Sequence, residues 1–181
     1  MNEITIKDTV IEIAVKEIID VQYDAIVVPS NSRLLPSGSL RCQVLKQAGP
    51  KVQIECNKII NKVTKIPIGN AVITSAGNLN AKYLIHVVGP RLGVGQEGKK
   101  LMLATWNTLK VADKAGIKTV ALNPISIENL GFNTKICAQV MLPTIKKFIL
   151  EQNKNLEKIT VFLTDLPEYK DFEKVLNTLA K

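Results

Sequence analysis

Six short apolar runs separated by amphipathic stretches restrict the fold of this chain more than any other feature. They are TVIEIAV (9–15), DAIVVPS (24–30), NAVITSAG (70–77), KYLIHVVG (82–89), KTVALNP (118–124) and KITVFLT (158–164). Several are unbroken in Val, Ile and Leu, as a strand must be when both of its faces are covered. Helical spacing marks residues 39–63, 99–115, 134–152 and 167–180. In the second of these, Leu101, Ala104, Thr108, Leu109 and Ala112 share a face, and Gly116 supplies a stop. Strands alternating with helices predict an α/β sheet covered on both sides. Two strand runs precede any long helix, so one sheet edge is predicted to be antiparallel. No repeat, low-complexity tract or linker divides the 181 residues, which are expected to form one domain over 1–181.

Composition narrows the function classes. No apolar run is long enough to span a bilayer. The start MNEITIKD is charged and lacks the apolar core of a signal peptide, so a cytoplasmic location is expected. Cys42, Cys56 and Cys137 are an odd, widely spaced set, which fits a reducing compartment. With one histidine and no zinc spacing, neither a metal nor another cofactor is expected. The formal charge of +8 is concentrated: residues 51–125 hold 11 Lys and Arg against 3 Asp and Glu. Lys51, Lys58, Lys62 and Lys65 fall within roughly 60° on a helical wheel. That stripe reads either as a solvated helix face or as a nucleic-acid-binding surface. Aromatic residues are only 4%, too few for base-stacking platforms.

Ligands of open α/β sheets bind beyond the carboxyl ends of strands. Two strand ends here run into loops rich in Ser, Asn and Gly: VVPSNSRLLPSGSLRCQV (27–44) and NPISIENLGFN (123–133). They read either as two walls of one cleft, each offering amides at a helix start, or as ordinary turns with Ser39 and Asn133 as N-caps. Asn31 is the polar strand-end residue whose amide could orient a sugar hydroxyl or a water, and the only catalytic candidate. GVGQEG (93–98) has the spacing of a dinucleotide fingerprint. It does not follow its strand directly, and the next strand ends in Asn123 rather than an acid, so it reads as a crossover loop. His86 lies inside the apolar run YLIHVVG and reads as a core residue.

Three blocks in order, YDAIVVPSNSRLLPSGSLRCQVLKQAGP, IPIGNAVITSAGNLNAKYLIHVVGP and AGIKTVALNPISIENLGF, resemble the macro domain. The family pattern is approximately D-A-I-V-N-A-A-N-S-x-L-x-G-G-G-G-V, G-x-A-x-x-T-x-G-x-L-x-A-K-x-x-I-H-x-V-G-P and P-x-I-S-T-G-x-x-G-F. The resemblance spans nearly the whole chain and is closest from Gly69 to Pro90. It implies a three-layer α/β/α sandwich around a mixed central sheet. It also implies a cleft for ADP-ribose or a related nucleotide between loops 31–40 and 126–132. The ligand-binding positions it implies are Glu17, Ile18, Asn31, Ser37, Gly38, Ser39 and Leu40 on one side. On the other they are Ser126, Ile127, Glu128, Asn129, Leu130, Gly131 and Phe132.

The chain departs from the pattern at telling places. Glu17 stands where the family's adenine-contacting acid is expected, and Val28 replaces the first Asn of N-A-A-N. The glycine quartet becomes Pro36, Ser37, Gly38 and Ser39, which removes a donor and conformational freedom. Glu128 replaces a phosphate-facing glycine. Arg41 stands where the branch that hydrolyses ADP-ribosyl linkages usually has an acid, and arginine cannot serve as a base at neutral pH. A divergent macro domain with weakened nucleotide affinity is the expectation. The alternatives are a degenerate cleft with nucleic acid or protein bound through the basic surface, or an ADP-ribosyl ester or phosphate hydrolase that works without the acid.

Overall fold

The computed structural model describes residues 1–126, 131 and 133–180. Its strands are β1 (Glu3–Ile6), β2 (Thr9–Val15), β3 (Ala25–Pro29), β4 (Ala71–Ser75), β5 (Tyr83–Val87), β6 (Thr119–Leu122) and β7 (Lys158–Leu163). They form one sheet in the order β1-β2-β7-β6-β3-β5-β4. The helices are α1 (Ser39–Ala48), α2 (Pro50–Val63), α3 (Glu97–Lys114), α4 (Thr134–Glu151) and α5 (Leu166–Leu179), with a short 3-10 turn at Ile18–Asp20.

Alternation along the central strands assigns the layers. On β3, Ala25 and Val27 join a core with Leu101, Leu109, Met141, Phe148 and Phe172 of α3, α4 and α5. Ile26 and Val28 point to the other face and join Val44, Ala48, Val52 and Cys56 of α1 and α2. The expected α/β/α sandwich is therefore present, and its unbroken Val/Ile/Leu strands are those with a helical layer on each face. The predicted face of α3 is also present: Leu101, Ala104, Thr108, Leu109 and Ala112 are all buried.

Several expectations are corrected. Both sheet edges are antiparallel, not one: β1 pairs with β2, and β4 with β5. The second pair is joined by residues 76–82, too short for the crossover that parallel pairing needs. β1 escaped the sequence reading because it is only four residues long. The helix expected over 39–63 is two helices. Gly49 lies at φ +82°, and Pro50 opens α2, a pair that cannot continue a helix. Ser39 is the first helical residue rather than the N-cap, a place taken by Gly38 at φ +77°. Asn133 does cap α4, its side chain accepting from the Lys135 N–H. Lys65 is not on the lysine stripe, because α2 ends at Val63 and Thr64 turns away at φ +68°.

The turn after β4 locks the sheet to the α1–α2 junction. A Cβ on Gly77 would stand 2.0 Å from the Ala48 carbonyl oxygen, at φ +59°, and that carbonyl accepts from Asn78 N–H. Gly116 has a similar φ of +70° but open space around it. Gly116→Ala is therefore expected to cost about 1 kcal/mol, the left-handed strain alone. Gly77→Ala should cost about 3 kcal/mol or more, because backbone must also move. Urea denaturation of the two variants checks the difference.

Candidate functional site

The five strands β2, β7, β6, β3 and β5 run parallel to one another, so their carboxyl ends meet at one rim. A cleft of about 730 Å³ opens there. Each strand exit contributes: Lys16 to Ile18 after β2, Pro29 to Ser32 after β3, Val88 and Gly89 after β5, Asn123 and Pro124 after β6, and Thr164 after β7. Ser37, Ser39, Leu40 and Gln43 add the start of α1, and Ser126 the opposite wall.

Two polar atoms of this wall are buried without a partner among the described residues, Ser126 Oγ and Asn123 Oδ1. The amide nitrogen of Asn123 is used, donating to Phe162 O at 2.9 Å. Ser126 sits at φ +76°, a conformation uncommon for a residue with a side chain. Gly89 makes room for it: a Cβ there would lie 2.3 Å from Ser126 Oγ.

The opposite wall is tied to itself. Asn31 Nδ2 donates to Leu35 O (2.9 Å) and Ser37 Oγ (2.8 Å), and its Oδ1 accepts from the Arg33 and Leu35 N–H groups. Both donors and both acceptor sites of the amide are thus engaged within the loop.

Arg41 does not enter the cleft. Its side chain runs into the core beneath the loop, and the residue is 1% exposed. All five N–H donors find acceptors. Nε donates to Leu35 O at 3.0 Å. Nη1 donates to Ser30 Oγ at 2.7 Å and His86 Nδ1 at 2.9 Å. Nη2 donates to Leu34 O at 2.6 Å and toward Cys56 Sγ at 3.9 Å. Burial lowers the guanidinium's pKa from its usual value, opposed by the Cys56 thiol, but arginine stays charged.

Because arginine only donates, His86 Nδ1 must accept, and the ring proton sits on Nε2, facing Thr74 Oγ1 at 2.8 Å. Thr74 Oγ1 in turn donates to Ser75 O at 2.9 Å. Burial first, then the Arg41 charge, push the His86 pKa down to about 3. The sequence reading of His86 as a core residue agrees with this geometry.

Residues 27–141 match the family model for the macro domain. The chain belongs to the macro domain family. Among its relatives is a protein named O-acetyl-ADP-ribose deacetylase 1 from Pantoea vagans. It is 38% identical over 163 residues, covering 89% of this chain and 95% of the relative. A macro domain-containing protein of Listeria monocytogenes is 35% identical over 165 residues, 90% of this chain and 94% of its own. Among solved structures, a glycine-to-valine mutant of the Oceanobacillus iheyensis macrodomain with ADPR superimposes with a TM-score of 0.92 at 25% identity. That match covers 98% of this chain and 97% of the other. The Trypanosoma brucei macrodomain in complex with ADP-ribose gives a TM-score of 0.82 at 27% identity, covering 91% and 68%.

Of the fourteen positions that the resemblance implied, nine are described, and seven of those meet at the cleft. Glu17, Ile18, Asn31, Ser37, Ser39, Leu40 and Ser126 all line the cleft. Gly38 is set back as the α1 cap, and Gly131 is exposed near Leu92 rather than on the cleft lining. Ile127, Glu128, Asn129, Leu130 and Phe132 lie outside the described residues. Lys16 and Arg91, which sequence reasoning missed, also line the cleft, as do Thr164 and Glu168. Glu168 had a legible signal. The run T-D-L-P-E places Asp165 as the α5 cap, accepting from Glu168 N–H, while Glu168 Oε2 reaches back to accept from Thr164 N–H and Oγ, a capping-box arrangement.

Two other motifs are accounted for. In GVGQEG the N–H groups of Gly93 and Gly95 donate to Glu97 Oε1, so the loop's donors serve the chain's own carboxylate. On α2, Lys51, Lys58 and Lys62 are exposed. Between the first two lies Glu55, whose pKa is lowered chiefly by its hydrogen bond from the Ser75 hydroxyl and further by the two lysines. The stripe is therefore interrupted by an ionised acid. Among the described residues no group of three His, Cys, Asp or Glu could hold a metal ion. No described helix is long and apolar enough to cross a membrane.

His86 must stay neutral for this network to hold. The unfolded chain would protonate it near 6.5, the fold only near 3. Its contribution to stability is thus complete above pH 6.5 and declines as pH falls toward 3, by several kcal/mol in total. As the only histidine, it is expected to show a single imidazole signal in ¹⁵N-detected NMR. That signal should keep an unprotonated Nδ1 and a protonated Nε2 from pH 8 to 4.5. A transition near 6.5 in the folded protein would contradict the tautomer.

Proposed function

We propose that this macro domain binds ADP-ribose or a related nucleoside diphosphate in the strand-end cleft, with lower affinity than a family member whose glycine quartet is intact. The observation that carries this reading is the unpartnered polar pair on the cleft wall. Ser126 Oγ and Asn123 Oδ1 are buried without a described partner. A buried polar atom without a partner costs stability and is uncommon unless something else uses it. A hydroxyl donor suits a phosphate oxygen, and a carbonyl acceptor suits a hydroxyl or amine. Lys16 and Arg91 line the same cleft and form no ion pair with a described residue. Glu17, which lines the cleft as well, can accept from an exocyclic amine.

The weaker affinity follows from the first loop. Pro36 offers no N–H where a glycine would. The amide of Asn31 must give up a bond within its loop to reach a ligand hydroxyl.

Binding is favoured over hydrolysis. The position expected to hold an acid is Arg41, turned into the core, and His86 is buried and neutral. A nucleic-acid role for Lys51, Lys58 and Lys62 is weakened by Glu55 between them and by the loss of Lys65 from the helix.

Isothermal titration with ADP-ribose tests the reading, and Ser126→Ala sharpens it. Removing an unpartnered buried hydroxyl should leave the free protein as stable or about 1 kcal/mol more so. The same change should weaken ADP-ribose binding several-fold. Absence of heat and of competition at millimolar ADP-ribose would sink the proposal. Equal affinity in the Ser126→Ala protein would remove its main support.

A further inference from the structure

Arg41 is a buried charge without a counter-charge. Its five bonds go to two carbonyls, a hydroxyl, an imidazole and a thiol, all neutral. Among the described residues, the only other titratable groups that bear on its charge state are the thiols of Cys56 and Cys42, with no carboxylate among them. The adjacent imidazole cannot take up negative charge. The guanidinium also lies in the first turn of α1, where the backbone N–H groups add partial positive charge. Hydrogen bonds satisfy its donors but do not neutralise it, and a buried cation is costly until an anion reaches it.

One of its partners faces the cleft. Ser30 Oγ accepts from Arg41 Nη1 at 2.7 Å, and Ser30 lines the cleft. The serine's own proton is only loosely held, pointing at Val28 O across 3.3 Å. The Ser30 N–H is fixed to Val87 O at 2.8 Å, so the residue is anchored while its hydroxyl can rotate. A hydroxyl that accepts from a guanidinium is polarised into a stronger donor.

We infer that Ser30 is an oxyanion-recognising residue of the cleft, its hydroxyl turned toward a ligand phosphate oxygen and strengthened from beneath by Arg41. Arg41 is the positioning residue of this pair. It supplies positive potential through Ser30 and holds Leu34 O and Leu35 O so that the loop keeps its shape. The ligand's phosphate is the counter-charge that the protein does not provide. This inference rests on the nucleotide reading above and names the group that would select the charged part of the ligand.

The test compares ADP-ribose with uncharged adenosine, the first by calorimetry and the second by ligand-observed NMR, which reaches millimolar affinities. Ser30→Ala should weaken ADP-ribose binding about tenfold or more while leaving adenosine unchanged or, as in the parent, undetected. Because it also strips Arg41 Nη1 of an acceptor, Ser30→Ala should melt a few degrees lower than the parent, and binding is compared at a temperature where both are folded. Ser30→Thr, which keeps the hydroxyl, should restore affinity. Arg41→Gln should lose at least as much ADP-ribose affinity; if it fails to fold, the serine pair decides alone. ADP-ribose affinity unchanged in Ser30→Ala overturns the inference. So does an equal loss for both ligands, which would mark a general loosening of the loop. A parent protein that binds ADP-ribose not at all overturns the nucleotide reading itself, a result distinct from either.

Discussion

The fork of five hydrogen bonds from Arg41 ties five parts of the chain together at one buried point. It links the first turn of α1, the loop carbonyls at Leu34 and Leu35, the β3 exit at Ser30, β5 through His86 and α2 through Cys56. A buried guanidinium is tolerated only when every donor is used, and removing one partner leaves an uncompensated polar group. Leu34 shows what the arrangement imposes. It is wholly buried at φ +56°, a backbone geometry that costs about 1 kcal/mol or more for such a residue. Its side chain packs in the α1–α2 core, while its carbonyl accepts from both Arg41 and Gln53. The loop's shape is held from below by side-chain donors rather than by glycine's freedom within it.

Topology then decides where chemistry can occur. Parallel strands deliver all their carboxyl ends to the same rim, and the right-handed crossovers that link them return helices whose N-termini start there. The cleft is thus a consequence of sheet order. What it binds depends on the side chains set on that rim, and here the rim mixes two cations, Lys16 and Arg91, with two carboxylates, Glu17 and Glu168. Glu168 is held by the Thr164 N–H and hydroxyl, both of which donate to its carboxylate.

The layers and most elements were legible because two-sided burial writes unbroken apolar runs, and one-sided burial writes helical periodicity. Leu101, Ala104, Leu109 and Ala112 could be assigned to a buried face from spacing alone. The break at Gly49–Pro50 was written as plainly but was overridden by apolar spacing that continued past it. Lys65 was misplaced for a similar reason, since a wheel projection has no knowledge of where Thr64 ends the helix. The cleft's position was legible through the order of three motifs. The state of its side chains was not, because it depends on partners distant in sequence. Arg41 meets His86 across 45 positions, and no local pattern tells an arginine folded under a loop from one facing solvent. Asn31 was read as an amide able to orient a sugar hydroxyl or a water, and nothing local in the sequence signals that its own loop engages it.

The replacement of an expected acid by Arg41 therefore does more than delete a carboxylate from a cleft. Position 41 in this chain opens onto the core, where Leu34 O, Leu35 O and His86 Nδ1 all present lone pairs. A carboxylate set among these acceptors would meet repulsion from their lone pairs and would bring a buried negative charge. Lysine would retain the charge but could not fork across acceptors on three elements. The surroundings have thus become specific for a guanidinium, and His86 has been committed to the neutral tautomer that faces it. Whatever chemistry an acid once could offer at such a position, the neighbouring side chains here are arranged against it.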